Sequence, residues 1–132
     1  PNSLVQRALI DFDFHLLKDY LEPVKFHLRN NAEILREKFR ERGLAKCWYQ
    51  SISAFYFTID FARTPYFEKK YQDSQQDYSQ EICEELLEKE GIAVVPGVAF
   101  GHGNSARMSL VLEEGPFTEA AEKLTAFLSM DA

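Results

Sequence analysis

Gly91-Ile92-Ala93-Val94-Val95-Pro96-Gly97-Val98-Ala99-Phe100-Gly101-His102-Gly103-Asn104-Ser105-Ala106-Arg107-Met108-Ser109-Leu110 sets two apolar runs on either side of a glycine-rich loop. Glycine permits φ > 0 and lets other groups approach the backbone closely. Arg107 stands alone where the chain leaves the loop and re-enters an apolar run. A guanidinium at a strand edge offers planar, two-point recognition of a carboxylate or phosphate. The stretch therefore reads as the place where the chain meets a small anionic ligand. The competing reading is a structural arginine paired with a turn carboxylate such as Glu113, and the residues alone leave both open.

Downstream, Arg107 to Leu112 is a strand in which Met108, Leu110 and Leu112 alternate with Ser109 and Val111. Glu113-Glu114-Gly115-Pro116 is a turn. A helix follows over about Phe117 to Met130, with Phe117, Ala120, Ala121, Leu124, Phe127 and Leu128 on one face. Upstream, Ile92 to Val95 is a buried strand stopped by Pro96-Gly97. Before it, Asp77-x-x-Gln80 has the form of a capping box for a helix over about Tyr78 to Glu90, which Gly91 ends.

Ala62 to Asp77, with Asp73-Ser74 in it, reads as a surface loop with one helical turn. Ala54-Phe55-Tyr56-Phe57-Thr58-Ile59-Asp60-Phe61 is the strongest strand: Phe55, Phe57, Ile59 and Phe61 share one face and Tyr56, Thr58 and Asp60 the other. Cys47 to Gln50 is a short strand candidate, joined to it by Ser51-Ile52-Ser53. Ser3 to about Glu41 follows the helical period, and Gly43 is its stop. Pro23 predicts a kink near Asp19–Glu22, or a second helix starting close to it. Helix, strands, helix, two strands and helix make an α+β domain: a small, mostly antiparallel or mixed sheet covered by helices, with a long kinked helix at the N-terminus.

The 132 residues suit one domain with a real core, and 45% apolar content argues against disorder. Net charge is 15 − 21 = −6 without a dense basic cluster, which argues against nucleic acid as a partner. No apolar run approaches the length a bilayer requires, so no membrane partner is expected. Cys47 and Cys83 lie far apart outside any Cys-x-x-Cys pair, which points to a reducing, cytoplasmic setting. The chain opens on Pro1-Asn2-Ser3 with no Met: either its start was processed or, the favoured reading, it is an internal piece of a longer protein.

Other motifs carry less. Gly101-His102-Gly103-Asn104-Ser105-Ala106 has the letters of a dinucleotide loop, but a strand follows where a helix N-terminus must hold the pyrophosphate. His15 and His27 lack metal-ligand spacing, His102 reads as an exposed loop residue, and no metal is expected. Asp60 with Glu113 or Glu114 as a working carboxylate pair is a weaker reading than ordinary turn acids.

The run Gly91 to Gly101, then Ala106-Arg107-Met108-Ser109-Leu110 and a closing amphipathic helix, resembles the C-terminal part of class I/II pyridoxal-phosphate-dependent aminotransferases of fold type I, aspartate-aminotransferase-like. Pro1 to Gln6 resembles the segment that follows the family's cofactor-lysine region, and Ala54-Phe55-Tyr56-Phe57 its Gly-Ala-Phe-Tyr strand. Ser51-Ile52-Ser53-Ala54 stands where the family has Pro-x-Gly-Ala, and none of the lysines has the setting of its cofactor lysine.

The resemblance implies that Arg107 grips the substrate α-carboxylate and that Phe100 lies at the active-site entrance. It implies a small domain over residues 1–132, with 1–42 bridging to a large domain and 43–132 forming the body. Pyridoxal 5'-phosphate would be held by that large domain. Amino acids and 2-oxo acids would be the substrates, a homodimer the assembly, and this piece alone would not be catalytically competent. Two other classes stay open: a stand-alone α+β ligand-binding or interaction module, and a pyridoxal-phosphate enzyme of the same fold that is not a transaminase.

Overall fold

A computed structural model describes residues 2–50, 54–71 and 75–130 of the chain. The N-terminal apolar spacing produces helix in two pieces, α1 (Ser3–Ile10) and α2 (Lys18–Glu41), linked through a 3-10 turn at Phe14–Leu17. The break falls at Asp11–Asp13 instead of Asp19–Glu22. Asp13 Oδ1 accepts the backbone N–H of His15 at 3.0 Å, and a short side chain that satisfies the backbone locally competes with helix. Pro23 is accommodated inside α2, where it forfeits only the bond to the Asp19 carbonyl. The helix ends as expected at Gly43 (φ +71°), which turns the chain so that Leu44 N–H returns to Phe39 O at 2.7 Å.

The sheet is three-stranded and antiparallel throughout, in the order β1 (Tyr56–Asp60), β3 (Ser105–Ser109), β2 (Val95–Pro96). Arg107 lies in the central strand, opposite Thr58 on one side and Val95 on the other. One face of the sheet, with Phe57, Ile59, Ala106 and Met108, closes on Leu35 and Phe39 of α2 and on Leu124 and Leu128 of α5 (Glu114–Ser129). Each of these larger side chains contributes roughly 1.5–3 kcal/mol by leaving water. The other face presents Tyr56, Thr58 and Arg107, partly exposed.

The strands are shorter than their apolar runs. Of Ile92–Val95 only Val95 joins a strand, and Ile92 is buried without ladder pairing. The strand expected over Arg107–Leu112 begins at Ser105 and stops at Ser109, leaving Leu112 exposed. Cys47–Gln50 supplies one antiparallel bridge, Trp48 to Ile59, with Tyr49 N–H donating to Thr58 O at 3.0 Å. Phe55 precedes β1 and is exposed, whereas Asp60 is buried, against the expected alternation. Ser51-Ile52-Ser53 and Asp73-Ser74 lie outside the described residues.

The expected surface loop over Ala62–Asp77 is largely helical. A 3-10 turn at Phe61–Arg63 leads into α3 (Pro65–Lys70), whose Tyr66 and Phe67 are buried. Thr64 Oγ1 accepts the Phe67 N–H at 3.2 Å and Pro65 takes the first helical position, a start signal present in the sequence. Tyr66 stacks on Phe127 of α5 at 4.5 Å. The next helix, α4 (Ser79–Glu90), ends at Gly91 as expected. Its capping box does not close: Asp77 Oδ1 accepts the Ser79 N–H at 2.9 Å, but Gln80 bonds Glu84 instead of reaching back.

Candidate functional site

Arg107 is half-buried at the centre of the sheet's open face. Its guanidinium carbon lies 3.9 Å from the Phe100 ring centroid and 5.9 Å from that of Tyr56. Arginine stacks readily on aromatic faces because its planar cation is weakly hydrated and the ring face is electron-rich. A cation–π contact of this kind uses none of the N–H groups as donors to oxygen. Among the described residues no carboxylate or carbonyl takes those donors. Glu113 is not its partner; it precedes α5 as the N-cap residue. The structure therefore brings Arg107 and Phe100 together and leaves the arginine with a planar donor edge and no anion among the described residues.

Phe100 is held by the loop that precedes β3. It closes a 3-10 turn at Gly97–Phe100. His102 N–H donates to Gly97 O at 2.9 Å, and Ser105 Oγ donates to His102 O at 2.7 Å. A Cβ on Gly97 would sit 1.7 Å from the His102 carbonyl oxygen and 2.4 Å from Ser105 Oγ, so only glycine fits. The loop is then fastened to the start of α4. Asp77 Oδ1 accepts the Asn104 N–H at 2.9 Å, while Asn104 Oδ1 accepts the Tyr78 N–H at 2.9 Å and Nδ2 donates to Gln76 O at 2.9 Å. Ser79 Oγ accepts the Val98 N–H at 3.2 Å. Burial alone would push the Asp77 carboxyl up, but the N–H groups of Asn104 and Ser79 outweigh it and hold it below the usual range.

This clamp was not legible in the sequence. Asp77 and Asn104 are 27 positions apart and meet only because α4 packs beside the loop. Tyr56 was also missed as a wall of the site. Its place is explained by antiparallel pairing, which sets Tyr56 opposite Ser109 and two residues along β1 from Thr58, the partner of Arg107.

The other candidates separate. Asp60 pairs with Ser105 at one end of β3, whereas Glu113 and Glu114 follow the other end, so they form no carboxylate pair. Asp60 is instead bound by Arg63 Nε at 3.1 Å. Burial pushes the neighbouring Tyr49 hydroxyl up, and its hydrogen bond with Asp60 adds to that. His102 is exposed, its ring edge-on to Tyr49 at 4.8 Å. Among the described residues no group of histidine, cysteine and acidic side chains is placed to hold a metal, and no helix is long and apolar enough to cross a membrane.

Among the described residues no lysine is set up to bond pyridoxal phosphate covalently. An amine that bonds covalently to a cofactor must shed its proton, which requires a depressed pKa. Lys38 and Lys70, the lysines with shifted values, move the other way. Glu122 and Glu41 hold Lys38 protonated, and at Lys70 burial is outweighed by Glu85 and Tyr66. The remaining lysines are exposed.

The family described as "Aminotransferase class I and II" matches residues 3–124. The probable aminotransferase TAT3 of Arabidopsis thaliana is 24% identical over 132 residues, all of this chain and 28% of that protein. The cystine lyase CORI3 of the same plant is 21% identical over 127 residues, 96% of this chain and 28% of its own length. The chain thus spans little more than a quarter of the curated relatives it matches. Among solved structures, the aromatic aminotransferase of Pyrococcus horikoshii superposes with a TM-score of 0.68 at 22% identity, over 90% of this chain and 28% of that one. The Methanococcus jannaschii protein MJ0684 gives 0.61 at 19% identity, over 92% and 29%. These superpositions establish the fold.

Proposed function

This chain belongs to the aminotransferase class I and II family, and from that premise we propose that it forms the small domain of a pyridoxal-phosphate-dependent aminotransferase. In this reading it binds the α-carboxylate of an amino acid and of a 2-oxo acid through Arg107. The observation that carries the proposal is the half-buried guanidinium over the Phe100 ring with no anion among the described residues to neutralise it. A cation in that setting awaits a planar anion, and a carboxylate matches its paired donors.

The division of labour follows from which groups the chain has. Pyridoxal 5'-phosphate supplies the electron sink for amino-group transfer and is held by the large domain of the same protein. Residues of this chain orient the substrate. Arg107 fixes the carboxylate, Phe100 fixes the guanidinium, and the Asp77–Asn104 clamp fixes the loop that presents Phe100. Charge-assisted bonds of this kind contribute roughly 1.5–3 kcal/mol each. Residues 43–132 form the body of the domain and 1–42 bridge to the large domain. Exposed Leu4, Leu9, Ile10, Phe14, Leu16 and Phe26 support that bridging role, since α1 buries none of its residues in this chain. A cytoplasmic homodimer completes the reading, and 1–132 alone is not catalytically competent.

The test is Arg107→Ala in the full-length protein. The expected result is a loss of kcat/KM for amino acids of about 100-fold or more with cofactor absorbance retained. Wild-type kinetics in that variant would defeat the proposal. A second reading, a lyase reaction on the same scaffold, is favoured by the similarity to a cystine lyase. Release of a keto acid and ammonia without need of an amino acceptor would select it.

A further inference from the structure

β3 ends at Ser109; beyond it Leu110 N–H still donates to Phe55 O at 2.9 Å, but among the described residues the Leu110 and Leu112 carbonyls have no backbone partner. One turn of α2 takes them over. Asn31 Nδ2 donates to Leu110 O at 2.9 Å and to Leu112 O at 2.7 Å. These bonds use both hydrogens of the amide nitrogen. His27 Nε2, 3.4 Å from that nitrogen, therefore receives no third bond from it and is left to donate to Val111 O at 3.3 Å. Asn30 Nδ2 donates to Glu114 Oε2 at 2.8 Å. Side chains 27, 30 and 31 thus hold the chain immediately after the strand that carries Arg107.

Asn31 is fully buried, and its Oδ1 has no partner among the described residues. Packing alone does not explain a buried amide with one end unsatisfied, because an apolar side chain of similar size would fill the space without an orphan oxygen. What leucine cannot do is aim two donors at the carbonyls of Leu110 and Leu112. The directional link between helix and strand exit is what the amide contributes.

We infer that Asn31 is a positioning residue that fixes the exit of β3 to α2, so that Arg107 keeps its register with the helix leading to the exposed apolar segment. The inference rests on the reading of Arg107 as the carboxylate grip. A two-point grip is sensitive to such a link, since a displacement of about 1 Å at the reacting geometry is costly.

The experiment uses the full-length holoenzyme and the dissociation constants of two probes with no hydrogen on the amino carbon: a 2-methyl amino acid and the matching amine in which a second methyl replaces the carboxylate. Asn31→Leu should weaken the amino-acid probe about 5- to 20-fold and leave the amine within about 2-fold, because only the carboxylate contact is displaced. His27→Ala, which leaves the core intact, should weaken the same probe about 2- to 4-fold. Arg107→Lys is run in parallel. If it leaves the amino-acid probe unaffected, the carboxylate reading itself fails. If Arg107→Lys weakens that probe but the Asn31 and His27 variants do not, or if they weaken both probes equally, the positioning role is overturned and the carboxylate reading stands. Should Asn31→Leu fail to fold, the His27 variant decides alone.

Discussion

The guanidinium of Arg107 sits over the ring of Phe100, its central carbon 3.9 Å from the ring centroid. In the proposed reading Phe100 acts on the substrate chiefly through the arginine. A cation–π contact of this kind contributes about 0.5–2 kcal/mol, the upper end applying where water is excluded. Phe100→Leu keeps the bulk and removes the π face. In the full-length enzyme it should raise KM for the amino acid about 2- to 30-fold with a smaller change in kcat, as steady-state kinetics will register. An unchanged KM would remove Phe100 from the site.

The loop behind Phe100 depends on one residue without a side chain. In Gly97→Ala the new Cβ meets the His102 carbonyl at 1.7 Å, a backbone atom that cannot swing aside. The expected destabilisation is at least about 2–3 kcal/mol. Gly115→Ala is the control, because no atom lies within 4 Å of the added carbon and the site is in the first turn of α5. It should be neutral or stabilising by about 0.5–1 kcal/mol. Denaturant melts of both variants would settle the contrast, and equal effects would contradict it.

Glu85 of α4 makes the protein acid-sensitive in a defined window. Burial would raise its carboxyl, but hydrogen bonds from Lys70, Lys89 and Tyr66 outweigh that and hold it at about 2, below the ordinary value of 4.5. A carboxyl with a depressed folded pKa stabilises fully above its unfolded pKa and loses that contribution as pH falls through the folded one. The window is therefore pH 4.5 down to about 2. Lys70 and Lys89 keep 43% and 61% of their side-chain surface in water, so screening reduces the effect to about 1–2 kcal/mol. Glu85→Gln should flatten the stability–pH curve in that interval. A variant as steep as the parent there would refute the assignment.

Cys47 and Cys83 are both buried and free. Burial is the main cause of their raised values, about 11 and about 12, and nearby Asp60 and Asp77 add to it. Since the thiolate is the reactive species, alkylation at neutral pH should be slow in the native protein and fast in denaturant, as mass spectrometry would follow. Rapid native labelling of either cysteine would show that its surroundings open.

Several features were legible residue by residue. Gly43 and Gly91 mark the ends of α2 and α4, and the alternation of Phe57 and Ile59 with Tyr56 and Thr58 gives the two faces of β1. Arg107 stood out because a lone cation re-entering an apolar run is unusual. These signals are local: a cap, a period or a breaker acts within a few residues. The same locality explains the errors. Pro23 pointed to a break that Asp13 places elsewhere, and Tyr66 and Phe67 looked like loop aromatics because Phe127, on which Tyr66 stacks, is distant in sequence.

By itself, then, the sequence determined the α+β order of elements, the family resemblance, and Arg107 as the residue to watch. Tertiary structure decided what surrounds that arginine. Antiparallel pairing set Tyr56 beside it, the Gly97 turn laid Phe100 against it, and α4 and α2 fastened the loop and the strand exit through Asp77 and Asn31. Each of these contacts joins residues far apart in sequence. Their formation depends on the packing of helices against the sheet, which no local pattern of side chains encodes.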